Sequence, residues 1–159
     1  MQHIVIDAVD VPPTNSPADV VRPISEALGT SGVAINYFEL APGESFGFAY
    51  HRHHDQEEVF FVLTGTATFR TEMGEVRVGA GEVIRFEPGE FQRGTNHSSN
   101  RVTALALGAP RDSEDIEYLL DCTECSEETI HTSAVADDRA AVIIRCTACE
   151  TETRQPITE

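Results

Sequence analysis

The stretch His51–Gly65, HRHHDQEEVFFVLTG, decides how the chain is read. It opens with three histidines in four positions, passes through three acids, and ends in an apolar run closed by a glycine. In an extended strand, residues i and i+2 share a face. His51 and His53 therefore point one way and His54 another. In the following run Glu58, Phe60 and Val62 share one face, while Glu57, Val59, Phe61 and Leu63 share the other. Two neutral imidazoles and one carboxylate converging on a point suit a divalent first-row metal ion and leave coordination positions open.

Outward from this stretch the chain is strands and turns. VAINYFEL (33–40) alternates, APGE (41–44) turns, and FGFAY (46–50) leads into the histidines. TATFRTE (66–72) pairs with the apolar run around Gly65, and MGE (73–75) turns again. VRVGAGE (76–82), VIRFEPGE (83–90) and RVTALALG (101–108) complete the series. Many short strands punctuated by Gly and Pro define an all-β sandwich or barrel. Residues 1–30 read as an arm: a strand in HIVID (3–7), a Pro-rich connector VPPTNSPADV (11–20), and one helical turn in PISEALG (23–29).

His51-x-His53, four residues, Glu58, six residues, Gly65 resembles the first motif of the cupin superfamily, with Gly43 and Gly47 nearest to its leading glycine. GEVIRFEPGEFQRGTN (81–96) is similar to the second motif, with Gly81, Gly89 and Asn96 at its Gly, Gly and Asn positions. Two positions depart: Glu87 stands where the family has Pro, and Gln92 where it has its last ligand histidine. The resemblance covers roughly residues 33–108. It implies an all-β cupin barrel, a jelly-roll-like double-stranded β-helix, with a metal held by His51, His53 and Glu58. Gln92 would be a loose fourth ligand through its amide oxygen, as in the phosphomannose isomerases of that superfamily. Fe, Mn, Ni and Zn all fit such donors, and a degenerate barrel without metal is the competing reading. His54 and His97 are expected outside the site. Arg93 could grip a substrate carboxylate, but beside Glu87 and Glu90 an ion pair is the first expectation. Phe48 and Tyr50 are expected to pack in the core or rim.

All four cysteines lie between residues 122 and 149, as Cys122-x-x-Cys125 and Cys146-x-x-Cys149. ETIHTSAV (128–135) and AAVIIR (140–145) read as strands joined by the turn ADDR (136–139), a hairpin that brings the two pairs together. Four thiolates so placed form a structural zinc site, and the pattern resembles a zinc ribbon. It lacks the glycine that often follows each pair; Ser126 and Glu150 stand there. Two disulfides, a redox pair, or iron in place of zinc are the alternatives, and His131 could compete as a ligand. The domain plan is a barrel with its arm over 1–110, an acidic linker at 111–117, and a zinc-ribbon-like module over 118–159.

Composition limits the function. The net charge is −16, lysine is absent, and the acid excess is spread over the chain. Residues 1–110 carry 14 acids and 7 Arg, or −7; residues 111–159 carry 13 acids and 4 Arg, or −9. Dispersed acid without lysine fits a protein that works in concentrated salt, where screening suppresses self-repulsion. It disfavours nucleic acid, which is gripped by clustered basic residues. No apolar run approaches a membrane span, and the N-terminus lacks a signal-peptide layout, so a cytoplasmic protein is expected. A homodimer is expected, with the outer face of Val59, Phe61 and Leu63 buried against a partner and an N-terminal arm that could swap, and a protein contact is expected through the ribbon. Two functions stay open: a metal-dependent enzyme acting on a small polar or phenolic molecule, or a small-molecule binding or sensor module. The sequence identifies no catalytic or substrate-binding residue.

Overall fold

The computed structural model describes residues 1–12, 16–138 and 140–156. Parts of the Pro-rich connector and of the ADDR turn fall outside these residues. Among the described residues the chain is β-structure with one short helix. The strands are β1 (Val20–Pro23), β2 (Ala34–Leu40), β3 (Tyr50–His53), β4 (Glu57–Thr64), β5 (Thr66–Thr71), β6 (Gly74–Gly79) and β7 (Val83–Phe86). They continue as β8 (Gln92–Thr95), β9 (Val102–Ala109), β10 (Ile116–Cys122), β11 (Glu127–Val135), β12 (Ala141–Cys146) and β13 (Glu152–Pro156).

Two sheets face each other. One has the order β1-β2-β9-β4-β7, the other β13-β12-β11-β10-β3-β8-β5-β6. The alternation read in the sequence holds on β4. Phe60 and Val62 are buried in the core with Phe38, Leu40, Phe46, Phe69 and Phe86. The ring centroids of Phe46, Phe60 and Phe69 lie 5.0–5.7 Å from one another. Burying a side chain of this size is worth about 1.5–3 kcal/mol, so this aromatic cluster is the main apolar joint between the sheets. Val59, Phe61 and Leu63 lie on the outer face.

The motif residues that carry no ligand are structural. Gly65 turns β4 into β5 at φ +77°, where a Cβ would lie 2.7 Å from the Arg101 carbonyl oxygen. Asn96 is fully buried. Its amide donates to the carbonyls of Leu40 and Asn100 at 3.0 and 2.8 Å, and its oxygen accepts from the backbone and hydroxyl of Ser98.

Several elements differ from the sequence reading. HIVID is not a strand; Ile6–Ala8 forms a single 3-10 turn. Its β-propensity finds no neighbouring strand to pair with, and pairing is what makes a strand. The helical turn is present as α1 (Ile24–Leu28), ended by Gly29 in the left-handed conformation. The acidic segment read as a linker reaches strand at Ile116, where β10 pairs with β3 in the register Ile116–His53, Glu117–Arg52, Tyr118–His51 and Leu119–Tyr50. The cysteine hairpin therefore continues the large barrel sheet.

At the cysteine turns, Ser126 and Glu150 take φ +57° and +61°, the only positive values for non-glycine residues among the described residues. Their amides close the turns onto the carbonyls of Cys122 and Cys146 at 2.8 and 3.0 Å. The left-handed conformation costs an L-residue about 1–2 kcal/mol, part of which glycine gives back as unfolded-chain entropy. Both side chains are exposed. Ser126→Gly and Glu150→Gly should each stabilise the metal-loaded protein by about 0.5–1 kcal/mol. An unchanged or lower denaturation midpoint would contradict strain at these turns.

Candidate metal centre

The candidate ligand residues come from both sheets. His51 and His53 point inward from β3, and Gln92 sits directly opposite His51 in the β3–β8 register. Glu58 reaches across from β4. The Glu58 Oε2 atom lies 3.6 Å from His53 Nε2 and 4.0 Å from His51 Nε2. Ligands bound to one ion at 2.0–2.2 Å lie within about 4.4 Å of each other, so these separations suit a single ion. His51, His53 and Glu58 form one of two metal-competent groups among the described residues.

Hydrogen bonds fix both imidazole tautomers. His51 Nδ1 faces the Ala49 carbonyl at 3.0 Å, and a carbonyl only accepts, so Nδ1 carries the proton. Ser113 Oγ donates to the Asp55 carboxylate at 2.6 Å, so it must accept from His53 Nδ1 at 2.8 Å. Both Nε2 atoms thus keep their lone pairs toward Glu58. Outer contacts of this kind orient a ligand and raise its basicity.

Gln92 supplies the test of fit. Its amide nitrogen donates to Glu58 Oε2 at 2.8 Å and to the lone pair of His51 Nε2 at 3.2 Å. It therefore occupies the lone pairs an ion would use. Its Oε1 is buried with no hydrogen-bond partner, a costly state for an amide oxygen. A half-turn of the amide brings that oxygen to the convergence point as a fourth donor. The donor set fits a divalent ion, which would act there as a Lewis acid with positions open to small molecules.

Burial sets the protonation states. The Glu58 carboxyl is pushed up to about 7 by desolvation, which outweighs the Gln92 hydrogen bond. His53 is pushed down to about 4, first by desolvation and then by the neighbouring His51; His51 is also lowered by desolvation. An ion must therefore displace the Glu58 proton below pH 7, while His53 stays neutral down to about 4. With the cysteine site already filled, barrel affinity for Zn(II) should fall about tenfold per pH unit from 7 to 5. Isothermal titration at pH 5, 6, 7 and 8 checks this; equal affinity at 5 and 7 would contradict it.

Gln56, Asp55 and His54 of the opening stretch bind the 110–117 segment across the site. Gln56 is buried and donates to the Pro110 carbonyl at 2.7 Å. Asp55 accepts from Ser113 and from the Glu114 amide. The His54 amide donates to the Asp115 carbonyl, and its Nε2 lies 2.9 Å from Glu117. His54 and the exposed His97 are outside the ligand set. Arg93 corrects its expectation: Arg85, not Arg93, takes Glu87, and among the described residues Arg93 makes no ion pair. It follows Gln92 on β8 in register with Arg70, half-buried, with its Nε buried and without a hydrogen-bond partner. Ser113 and Asp55 went unnoticed in the sequence; their pairing spans 58 residues.

The second group is Cys122, Cys125, Cys146 and Cys149. The sulfurs pair across the two turns, Cys122–Cys149 at 3.6 Å and Cys125–Cys146 at 3.9 Å. A tetrahedral zinc with 2.3 Å bonds sets its sulfurs about 3.8 Å apart, whereas a disulfide needs about 2.05 Å. The Thr129 hydroxyl holds the Cys146 thiol down at about 6, so it is a ready thiolate. His131 is buried, with Nδ1 facing the Thr129 carbonyl, and is not in the group. One row of cross-strand neighbours links the two centres: Gln92, His51, Tyr118, His131 and Cys146 lie side by side over five strands.

Residues 36–108 match the model of the cupin domain family. The chain carries a cupin domain, with four clustered cysteines following it as in a zinc-ribbon-like module. No curated protein matches the sequence. Among solved structures, a sugar phosphate isomerase of the cupin superfamily from Silicibacter pomeroyi is similar at 20% identity and TM-score 0.63, over 98% of this chain and 96% of that one. A predicted oxalate decarboxylase from Thermotoga maritima is similar at 20% identity and TM-score 0.58, over 69% and 99%. A Cupin 2 conserved barrel domain protein from Salinispora arenicola matches at 19% and TM-score 0.55, over 69% and 88%. At these identities the likeness concerns the fold.

Proposed function

We propose that the chain is a metal-dependent enzyme acting on a small molecule in its barrel. His51, His53 and Glu58 hold a divalent ion, and Gln92 assists through its amide oxygen. The carrying observation is the orphaned Gln92 Oε1 beside the Glu58 carboxylate and two imidazoles with matched tautomers. A cavity of about 270 Å3 adjoins His53 and Glu58 and gives a small molecule access to the ion. The cysteine site is a closed structural zinc centre in this reading. The similar structures bear names from different reactions, so isomerase, lyase and dioxygenase chemistry all remain compatible with the fold.

The second reading is a binding or sensor module whose ribbon contacts a protein. It draws on the cavity and on the exposed edge strand β13 that follows the hairpin. Cobalt(II) loaded into the barrel distinguishes the two. A small molecule that shifts the cobalt absorption and is consumed supports the enzyme; one that shifts it and raises stability without being consumed supports the sensor. Assembly as a dimer through Ile35, Tyr37, Val59, Phe61, Leu105 and Leu107 belongs to the same proposal. These residues form neighbouring apolar rows on the outer face of the smaller sheet. No helix among the described residues is long and apolar enough to cross a membrane.

A further inference from the structure

The inner cavity of about 270 Å3 is smaller than a typical small-molecule site of roughly 300–1,000 Å3. A second cavity of about 700 Å3 lies between the Phe48 loop and the cysteine hairpin. The two share Ser113 and Ile116 in their walls. Ser113 is the residue that holds His53. The outer cavity therefore begins beside the metal ligands.

Its chemistry is specific. Phe48 stacks on Tyr118 with ring centroids 4.9 Å apart, yet remains 49% exposed. Val135, Val142 and Ile144 from the hairpin form the facing wall, with Val135 62% exposed. Polar atoms come from the Tyr118 hydroxyl and Ser133 Oγ, 3.5 Å apart. Among the described residues its one charged lining residue is the acid Glu114, and no arginine lines it. Arg111 in the inner cavity donates to the Thr30 carbonyl and faces Asp112.

We propose that this cleft, walled by the cysteine hairpin, binds the planar, uncharged, largely apolar body of the molecule whose polar end reaches the barrel ion. The inference rests on the metal-site reading for the polar end only; the cleft itself stands on Phe48, Tyr118 and the hairpin wall. A phosphorylated or polyanionic ligand is disfavoured, because Glu114 repels it and no arginine among the described residues lines the cleft to receive it. The hairpin would then be part of the binding site, and its cysteine ion would hold that wall in place.

The test is titration of the full chain, with both metal sites filled, with 4-ethylphenol and separately with glucose 6-phosphate. The phenol is expected to bind, and Val142→Glu is expected to weaken it at least tenfold with the metal content unchanged. Phe48→Ala, at an exposed position, should weaken it several-fold and guards against a folding defect in the first variant. Glucose 6-phosphate should bind at least tenfold more weakly than the phenol. Phenol binding indifferent to both cleft variants, or tighter binding of the phosphate, would overturn the proposal. So would a change of oligomeric state in Phe48→Ala without loss of phenol binding, which would make the cleft a contact between copies of the chain. Titration of Glu58→Ala separates the two claims. Phenol bound equally by wild type and Glu58→Ala, but lost in Val142→Glu, would keep the cleft and remove the ion's part in binding.

Discussion

Replacing Cys122 and Cys149 with serine should remove the cysteine-bound ion and also weaken the barrel site for its own ion by at least about tenfold. The reason is the support of β3, which carries His51 and His53. On one side β3 meets β8 in a single register pair, His51–Gln92. On the other it pairs with β10 along its whole length, from Tyr50–Leu119 to His53–Ile116. β10 in turn pairs with β11 from Glu117–Thr132 to Cys122–Glu127, and this hairpin closes at the cysteine turns. A segment of roughly forty residues buries too little apolar surface to hold itself together, so a cysteine-bound metal would supply much of its folding free energy. Without that ion β10 frays, and the histidines lose the template that sets their spacing. Zinc titration against a competing chelator gives the barrel affinity directly. Equal affinity in wild type and the double-serine variant would mean the two centres are independent.

The second large effect is local. Glu58→Ala should lower barrel affinity by at least about a hundredfold, because it removes the only anionic donor and leaves two neutral imidazoles and an amide. The cysteine ion should stay, since no donor of that group lies on β4. The chain should then hold one ion instead of two. Ser113→Ala is the milder control: His53 keeps its ring but loses the partner that fixes its tautomer, an effect of about 10–100-fold for such outer contacts. A Glu58→Ala protein that still held two ions per chain would show that the carboxylate is not a ligand.

Much of this site was legible because strand geometry is regular. Alternation placed Glu58 with Phe60 and Val62, and the structure puts Phe60 and Val62 in the core and Glu58 beside the histidines. The cysteine spacing likewise brought four sulfurs to one point. What the sequence hid was non-local. Ser113 is an ordinary serine in an acidic segment until the fold sets it between His53 and Asp55. β10 follows that segment directly, and its apolar residues gave no boundary signal, so its pairing with β3 could not be read. β13 is exposed along its whole length and has no hydrophobic period. HIVID failed in the opposite sense: it has β-forming residues but no partner strand.

The glutamine in place of the last ligand histidine is compatible with a metal site of a particular kind. An amide oxygen adds neither charge nor a titrating group, so Glu58 alone offsets the ion's charge within the donor set. Its buried, partnerless Oε1 is the feature that a metal-free, purely structural Gln92 leaves unexplained.

The most direct measurement is metal content per chain by elemental analysis, on protein purified in high salt without added metal. The account predicts two ions per chain, one of them zinc, with the second lost in Glu58→Ala and the first lost with the cysteines. A single ion per chain that disappears with the cysteines would contradict the barrel site, and the binding-module reading would take its place.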